Sequence, residues 1–133
     1  MAEESEQVSA VFDASALLAV MLGEPGSEIV LAEIRRGLVS TVNVVEVIQR
    51  MADHGIDSKE TLKQLSRLEI EIVPFDLDQA AVVASLRPAT RHKGVSLADR
   101  ACLALGIDRG LPVFTTDRIW TELALPLDIR LIR

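Results

Sequence analysis

The chain has 133 residues, 49% hydrophobic and 26% charged, with a net charge of −6; this is the composition of one globular domain and not of a disordered segment. No apolar run reaches the roughly 18 residues of a membrane span, and a single cysteine, Cys102, with two histidines leaves neither an internal disulfide nor a zinc cluster. A reducing, cytoplasmic compartment is the expectation.

The acidic total argues against diffuse attraction to nucleic acid. Three of the acids, Glu3, Glu4 and Glu6, fall in the opening MAEESEQ, which reads as a frayed tail over residues 1–7 and not as a signal or transit peptide. The domain proper spans residues 8–133. Val8–Phe12 is a short apolar run with the character of a buried strand, and it stops at Asp13. A helix is predicted over Ala14–Leu22, broken by Gly23 and Pro25. Ser27 is placed to cap a second helix through Arg36, with Gly37 as its stop.

Leu38–Ser40 reads as a strand, followed by a helix over Val42–His54 capped by Thr41, with Val44, Val47, Ile48 and Met51 on its apolar face. Ser58 opens a helix to about Leu68, with Leu62, Leu65 and Leu68 inward. Ile70–Phe75 is the next strand, and Asp76 or Asp78 starts a helix through Leu86. Arg87–Gly94, RPATRHKG, reads as a loop and is the most basic stretch of the chain. A periodic helix follows over Ser96–Asp108, with Leu97, Ala101 and Leu105 on one stripe. Pro112–Thr115 is a strand, Asp117 precedes a short helical segment containing Trp120, and Ile129–Ile132 is the last strand. Strands alternating with helices predict an α/β domain with a mainly parallel sheet.

Acids recur at one kind of place in this reading. Asp13 follows the first strand, Glu46 lies early in the helix after the second, Asp99 is in the first turn of the Ser96 helix, and Asp117 follows the Pro112 strand. In a parallel sheet these positions share one edge, where ligands of open α/β sheets bind. Each also has a plain structural explanation. Asp13 and Asp117 suit N-caps, Glu46 stands four residues before Arg50 in ion-pair orientation, and Ser96-Leu97-Ala98-Asp99 resembles a capping box. Together they are harder to dismiss. Two carboxylates about 5 Å apart repel by roughly 3 kcal/mol at an effective dielectric of about 20, so convergence calls for a cation. Oxygen ligands without thiolate or imidazole select Mg²⁺ or Mn²⁺. Such ions hold phosphate oxygens and activate water, which fits phosphodiester hydrolysis.

The ordered stretches VFDASALLAV, NVVEV, SLADRACLALG and LPVFTTDRIW resemble the successive signatures of the PIN-domain ribonucleases. More narrowly, the chain is similar to the toxin half of VapBC toxin–antitoxin pairs. The resemblance covers nearly everything from Val8 to Arg133. It implies a PIN-like three-layer α/β/α sandwich around a five-stranded sheet, and Mg²⁺- or Mn²⁺-dependent endoribonuclease activity on structured RNA such as tRNA or rRNA. It also implies products with 5′-phosphate and 3′-hydroxyl ends, a cognate antitoxin covering the acidic pocket, and a homodimer.

Carried over by position, Asp13, Glu46 and Asp99 match the family's core acids and Asp117 its more variable fourth, all as catalytic and metal-binding candidates. Ser15 and Thr115 or Thr116 match small hydroxyl positions that hold acids or waters in place. Arg91, Lys93, Arg100 and Arg118 are candidates for RNA phosphate contacts, with His92 in the same basic loop. Surplus apolar surface on the first two helices, with Met51, is a candidate antitoxin groove, and a face including Trp120 or Leu123 a candidate dimer contact. With no tyrosine in the chain, RNA recognition is expected to lean on shape and backbone. A haloacid dehalogenase-type phosphatase would need a second Asp where Ser15 stands. A non-toxin PIN nuclease and a catalytically silent PIN-like binding module are the remaining alternatives.

Overall fold

The computed structural model describes residues 8–133, so the tail expected over residues 1–7 lies outside the described residues. Five short strands, β1 (Val11–Phe12), β2 (Leu38–Ser40), β3 (Glu71–Val73), β4 (Val113–Thr115) and β5 (Ile129–Leu131), form one sheet in the order β3-β2-β1-β4-β5. Every pairing is parallel. The connecting helices are α1 (Ala14–Leu22), α2 (Ser27–Glu33), α3 (Thr41–Asp53), α4 (Ser58–Arg67), α5 (Leu77–Ser85), the single turn α6 (Arg87–Thr90) and α7 (Leu97–Arg109). A 3₁₀ segment, Arg118–Glu122, links β4 to β5.

Strand side chains alternate between faces, and this divides the core in two. Phe12, Val39 and Phe114 pack with α1 to α4, including Leu17, Val30, Val47, Met51 and Leu65. Phe12 and Phe114 stack across neighbouring strands, ring centroids 5.1 Å apart. On the other face Val11, Leu38, Val73 and Val113 pack with Val83 of α5, the buried side of α7 and Trp120. The result is the three-layer α/β/α sandwich. At Gly106 of α7 a Cβ would come 2.5 Å from Val113 Cγ2; the missing side chain lets the helix lie close on β4.

Several local expectations are corrected. α2 stops at Glu33, before Arg36, because the chain turns through a left-handed Arg36, φ 65°. Gly37 acts sterically and not as a helix stop, since a Cβ there would meet Phe12 Cε2 at 2.4 Å. Ser40, not Thr41, caps α3, accepting the Val42 N–H at 3.2 Å. Thr41 Oγ1 instead accepts the Phe75 N–H at 3.1 Å, tying β3 to β2. Arg87–Gly94 is not wholly loop: α6 forms at its start, and the buried Thr90 hydroxyl donates to Leu86 O at 2.9 Å.

Leu62 and Leu97 point outward, 45% and 61% exposed. Met51 is fully enclosed, at 0% exposure, and cannot contribute to an antitoxin groove; Trp120 is 1% exposed and packs in the core, forming with Leu123 part of the wall of a small pocket. Among the described residues no single helix is long and apolar enough to cross a membrane.

Candidate functional site

The chain lays β1, β2 and β3 outward in turn, then returns to place β4 on the free side of β1. That reversal opens a crevice beyond the carboxyl ends of β1 and β4, the switch point at which open α/β sheets bind ligands. Asp13 sits there. Its N–H donates to Phe114 O at 3.2 Å, which carries the chain one step past β1 into α1. Its Oδ1 accepts the Ala16 N–H at 2.9 Å, so Asp13 does cap the helix.

The carboxylate does more than cap. Ser15 Oγ donates to Oδ1 at 2.7 Å, and Thr115 Oγ1 donates to Oδ2 at 2.6 Å. Both hydroxyls are held from behind by the chain leaving β4: the Thr116 N–H donates to Ser15 Oγ and the Asp117 N–H to Thr115 Oγ1, each at 3.0 Å. Thr115 is therefore the threonine whose hydroxyl meets Asp13, while Thr116 contributes its backbone. Two parallel relays lock the aspartate to the 115–117 turn. Burial pushes the Asp13 carboxyl up to about 6, against the pull of the Thr115, Ser15 and Ala16 hydrogen bonds, and Asp99 adds repulsion.

Asp99 lies in the first turn of α7. Its Oδ2 accepts the Ser96 N–H at 2.9 Å while Ser96 Oγ accepts the Asp99 N–H at 3.1 Å, a reciprocal capping box. Burial raises its carboxyl, its Ser96 hydrogen bonds lower it, and Asp117 repels it upward. Asp117 in turn caps the 3₁₀ segment, its Oδ1 accepting the Ile119 N–H at 3.0 Å.

Glu46 reaches the same region from α3. No ion pair to Arg50 forms among the described residues. Instead Asn43 Nδ2 donates to Glu46 Oε1, and also to Ala98 O, each at 3.0 Å. Glu46, Ala14, Ser15 and Leu18 line one cavity of about 260 Å³ between α1 and α3, with Leu22, Glu24, Arg50 and Arg133 on its wall. Beneath the acids lies the buried Cys102 thiol, raised well above its ordinary value by burial and by the charges of Asp13, Asp99 and Glu46. That raised value keeps it protonated and inert. Asp13, Asp99 and Glu46 all act on this thiol through their charge, and Asp117 acts on Asp99; among the described residues they form no group of three that could enclose a metal ion.

The basic residues sort differently. Arg91, His92 and Arg100 line an open groove of about 620 Å³ with Arg87, Thr90, Gly94 and Val95. Arg100 Nη1 donates to Val83 O at 3.3 Å, and no carboxylate pairs with any of these arginines among the described residues. Lys93 and Arg118 are exposed and do not line it. Two residues escaped the sequence reading. Asn43 stands three before Glu46, a spacing that places both on one helix face, and Arg87 belongs to the basic stretch but precedes the residues singled out.

A wholly parallel three-layer domain with Asp13 at the switch point between β1 and β4 has the plan of the open α/β folds, whose ligands bind at a strand-end crevice. The model of the PIN domain family matches residues 10–125, and the chain is a member of that family. Solved structures with this fold include a toxin–antitoxin complex from Klebsiella pneumoniae, 20% identical, covering 94% of this chain and 98% of that one at a TM-score of 0.76. DNA-bound VapBC from Salmonella typhimurium is 18% identical, covering 96% and 100% at 0.74. VapBC2 from Rickettsia felis, bound to a DNA fragment from its promoter, is 14% identical, covering 92% and 97% at 0.69. At these identities the likeness is one of fold. No curated protein sequence matches the chain.

Proposed function

We propose that this protein is a metal-dependent endoribonuclease, the toxin of a toxin–antitoxin pair, cutting structured RNA such as tRNA or rRNA. The carrying observation is Asp13: a buried carboxylate gripped at both oxygens and repelled by a second raised acid, Asp99, which Asp117 repels in turn. Such a pocket is costly empty and favourable around a divalent cation. The donor set fits Mg²⁺ or Mn²⁺, since every candidate ligand is a carboxylate and the nearest thiol is kept protonated. Among the described residues no group of three acids is close enough to enclose an ion. Mg²⁺ is commonly held by one or two carboxylates with waters and substrate phosphate.

Asp13 and Asp99 are the direct ligands in this reading, with Glu46 and Asp117 acting directly or through water. When bound, the ion supplies neutralising charge at the scissile phosphate and lowers the pKa of water. Glu46 Oε1 accepts from Asn43 and Oε2 has no hydrogen-bond partner among the described residues; in this reading that oxygen takes the proton of the attacking water. Ser15 and Thr115 hold Asp13 in register while charge develops. Arg91 and Arg100, joined by Arg87 on the same groove, grip backbone phosphates beside the cut, with Lys93 and Arg118 adding diffuse attraction.

An antitoxin segment would cover the pocket along the α1–α3 cavity, where Leu18 and Leu22 offer apolar contact and Glu46 an acceptor for a basic side chain. The fold neighbours that are toxin–antitoxin complexes support this partner. A homodimer and a cytoplasmic location belong to the same reading. The test is cleavage of purified tRNA and rRNA with Mn²⁺ or Mg²⁺ and with chelator. Metal-dependent cutting by the wild type and a loss of more than about a hundredfold in Asp99→Asn, with its circular dichroism unchanged, are expected. Wild-type protein that binds RNA and never cuts it would instead make this a silent PIN-like module.

A further inference from the structure

The geometry points to Asn43 as a positioning residue that sets where Glu46 stands relative to Asp99. Asn43 is 1% exposed, inside the contact between α3 and α7. Its single amide group spans that contact, one N–H bonding Glu46 Oε1 and the other the carbonyl of Ala98, both at 3.0 Å. Ala98 immediately precedes Asp99, so one side chain fixes an acid on α3 against the turn that carries an acid on α7.

The amide can face only one way, because a flip would set Oδ1 against the Glu46 carboxylate and the Ala98 carbonyl, two acceptors. In that orientation Oδ1 is buried without a hydrogen-bond partner in the structure, an unfavourable arrangement for a group serving packing alone. An apolar residue would fill the space at lower cost. The side chain is explained by what its two donors hold.

Helix α3 gives Glu46 no other anchor among the described residues, since the Arg50 ion pair is absent. Without Asn43, a half-buried glutamate with free torsions would sample positions away from Asp99. Groups that orient a metal ligand from behind typically govern affinity by about tenfold to a hundredfold.

This inference rests on the reading of Glu46 as part of a metal-dependent site, and the experiment separates the two. Mn²⁺ binding is measured by calorimetry on the full chain for wild type, Asn43→Ala, Asn43→Leu, Glu46→Gln and the double variant Asn43→Ala/Glu46→Gln. RNA-cleavage kcat and KM, and urea unfolding, are recorded for each. Asn43→Ala and the similarly sized, donor-free Asn43→Leu are expected to weaken Mn²⁺ by about tenfold or more and to lower kcat with KM little changed. In the Glu46→Gln background, Asn43→Ala should add almost nothing, the non-additivity of two residues acting as one unit. A purely structural role would lower urea stability while the metal effects stayed additive or absent. Overturning results are wild-type Mn²⁺ affinity and kcat in both Asn43 variants beside a defective Glu46→Gln, or additive losses in the double variant. Should Glu46→Gln itself bind and cut normally, the reading of Glu46 fails and this inference with it.

Discussion

The acidic pocket and the basic groove flank the same end of α7, yet they are built on opposite plans. Asp13 is buried, anchored to strand ends, and held by hydroxyls that backbone amides hold in turn. Arg87, Arg91 and Arg100 line an open groove on a helical turn and loop, free of carboxylate partners among the described residues. Chemistry that must place a phosphorus atom to a fraction of an ångström needs the first plan. Gripping a flexible polyanion needs only the second, since phosphate contacts tolerate motion and work through charge. Asp99 and Arg100, adjacent residues of one helix, fall to the two sides in the proposed reading.

The largest effect that would sharpen this contrast lies in the pocket's self-imposed cost. The Asp13 carboxyl titrates at about 6 in the fold against 3.8 unfolded, so between those values the native state holds the extra proton. Its stability share is greatest below the unfolded value and is lost as pH rises through the folded one. In metal-free protein, the unfolding free energy of wild type should therefore fall relative to Asp13→Asn by about 2 to 3 kcal/mol between pH 4 and pH 7.5. Parallel pH profiles from urea unfolding would mean the carboxylate carries no such burden.

Thr115→Val comes next. It strips Asp13 Oδ2 and the Asp117 N–H of their shared partner and should cost about 1–3 kcal/mol. It should also raise the Asp13 carboxyl further, moving the acid limb of the cleavage profile to higher pH; an unmoved limb would exclude the relay from the site. The smallest effect belongs to the groove. Arg87→Ala or Arg91→Ala should each flatten the salt slope of RNA binding by about 0.7–0.9 while leaving Mn²⁺ affinity intact. An unchanged slope would remove that arginine from the interface.

The two regions also differ in how well the sequence announces them. Asp13, Ser15, Asp99 and the Ser96 capping box are legible because each is tied to a local signal: a strand that stops, a helix that starts, a cap with its partner three residues on. α1 runs over the residues its sequence predicts. The groove is less legible. Arg87–Thr90 reads as loop from its proline and charge, and its turn of helix forms because Thr90 is buried and bonds back to Leu86.

Contacts between distant segments were the least visible. Trp120 looks like surface in a short helical segment and lies in the core between the sheet and α7, while Leu97 fits an apolar stripe and points to solvent. Thr41 surrenders the cap to Ser40 because its hydroxyl is needed by Phe75, a residue 34 positions away. Asn43 is invisible for the same reason, since its second partner lies 55 positions on. Period and propensity speak for one element at a time.

The central claim is that Asp13 and Asp99 hold a divalent cation, and calorimetric titration of metal-free protein with Mn²⁺ addresses it directly. Wild type should bind near neutral pH, progressively less as pH falls through about 6, the point at which Asp13 takes its proton. Asp99→Asn should lose more than tenfold in affinity, since even an outer-shell partner typically costs about tenfold to a hundredfold. Equal Mn²⁺ affinity in wild type and Asp99→Asn, at a pH where both are folded, would contradict the account.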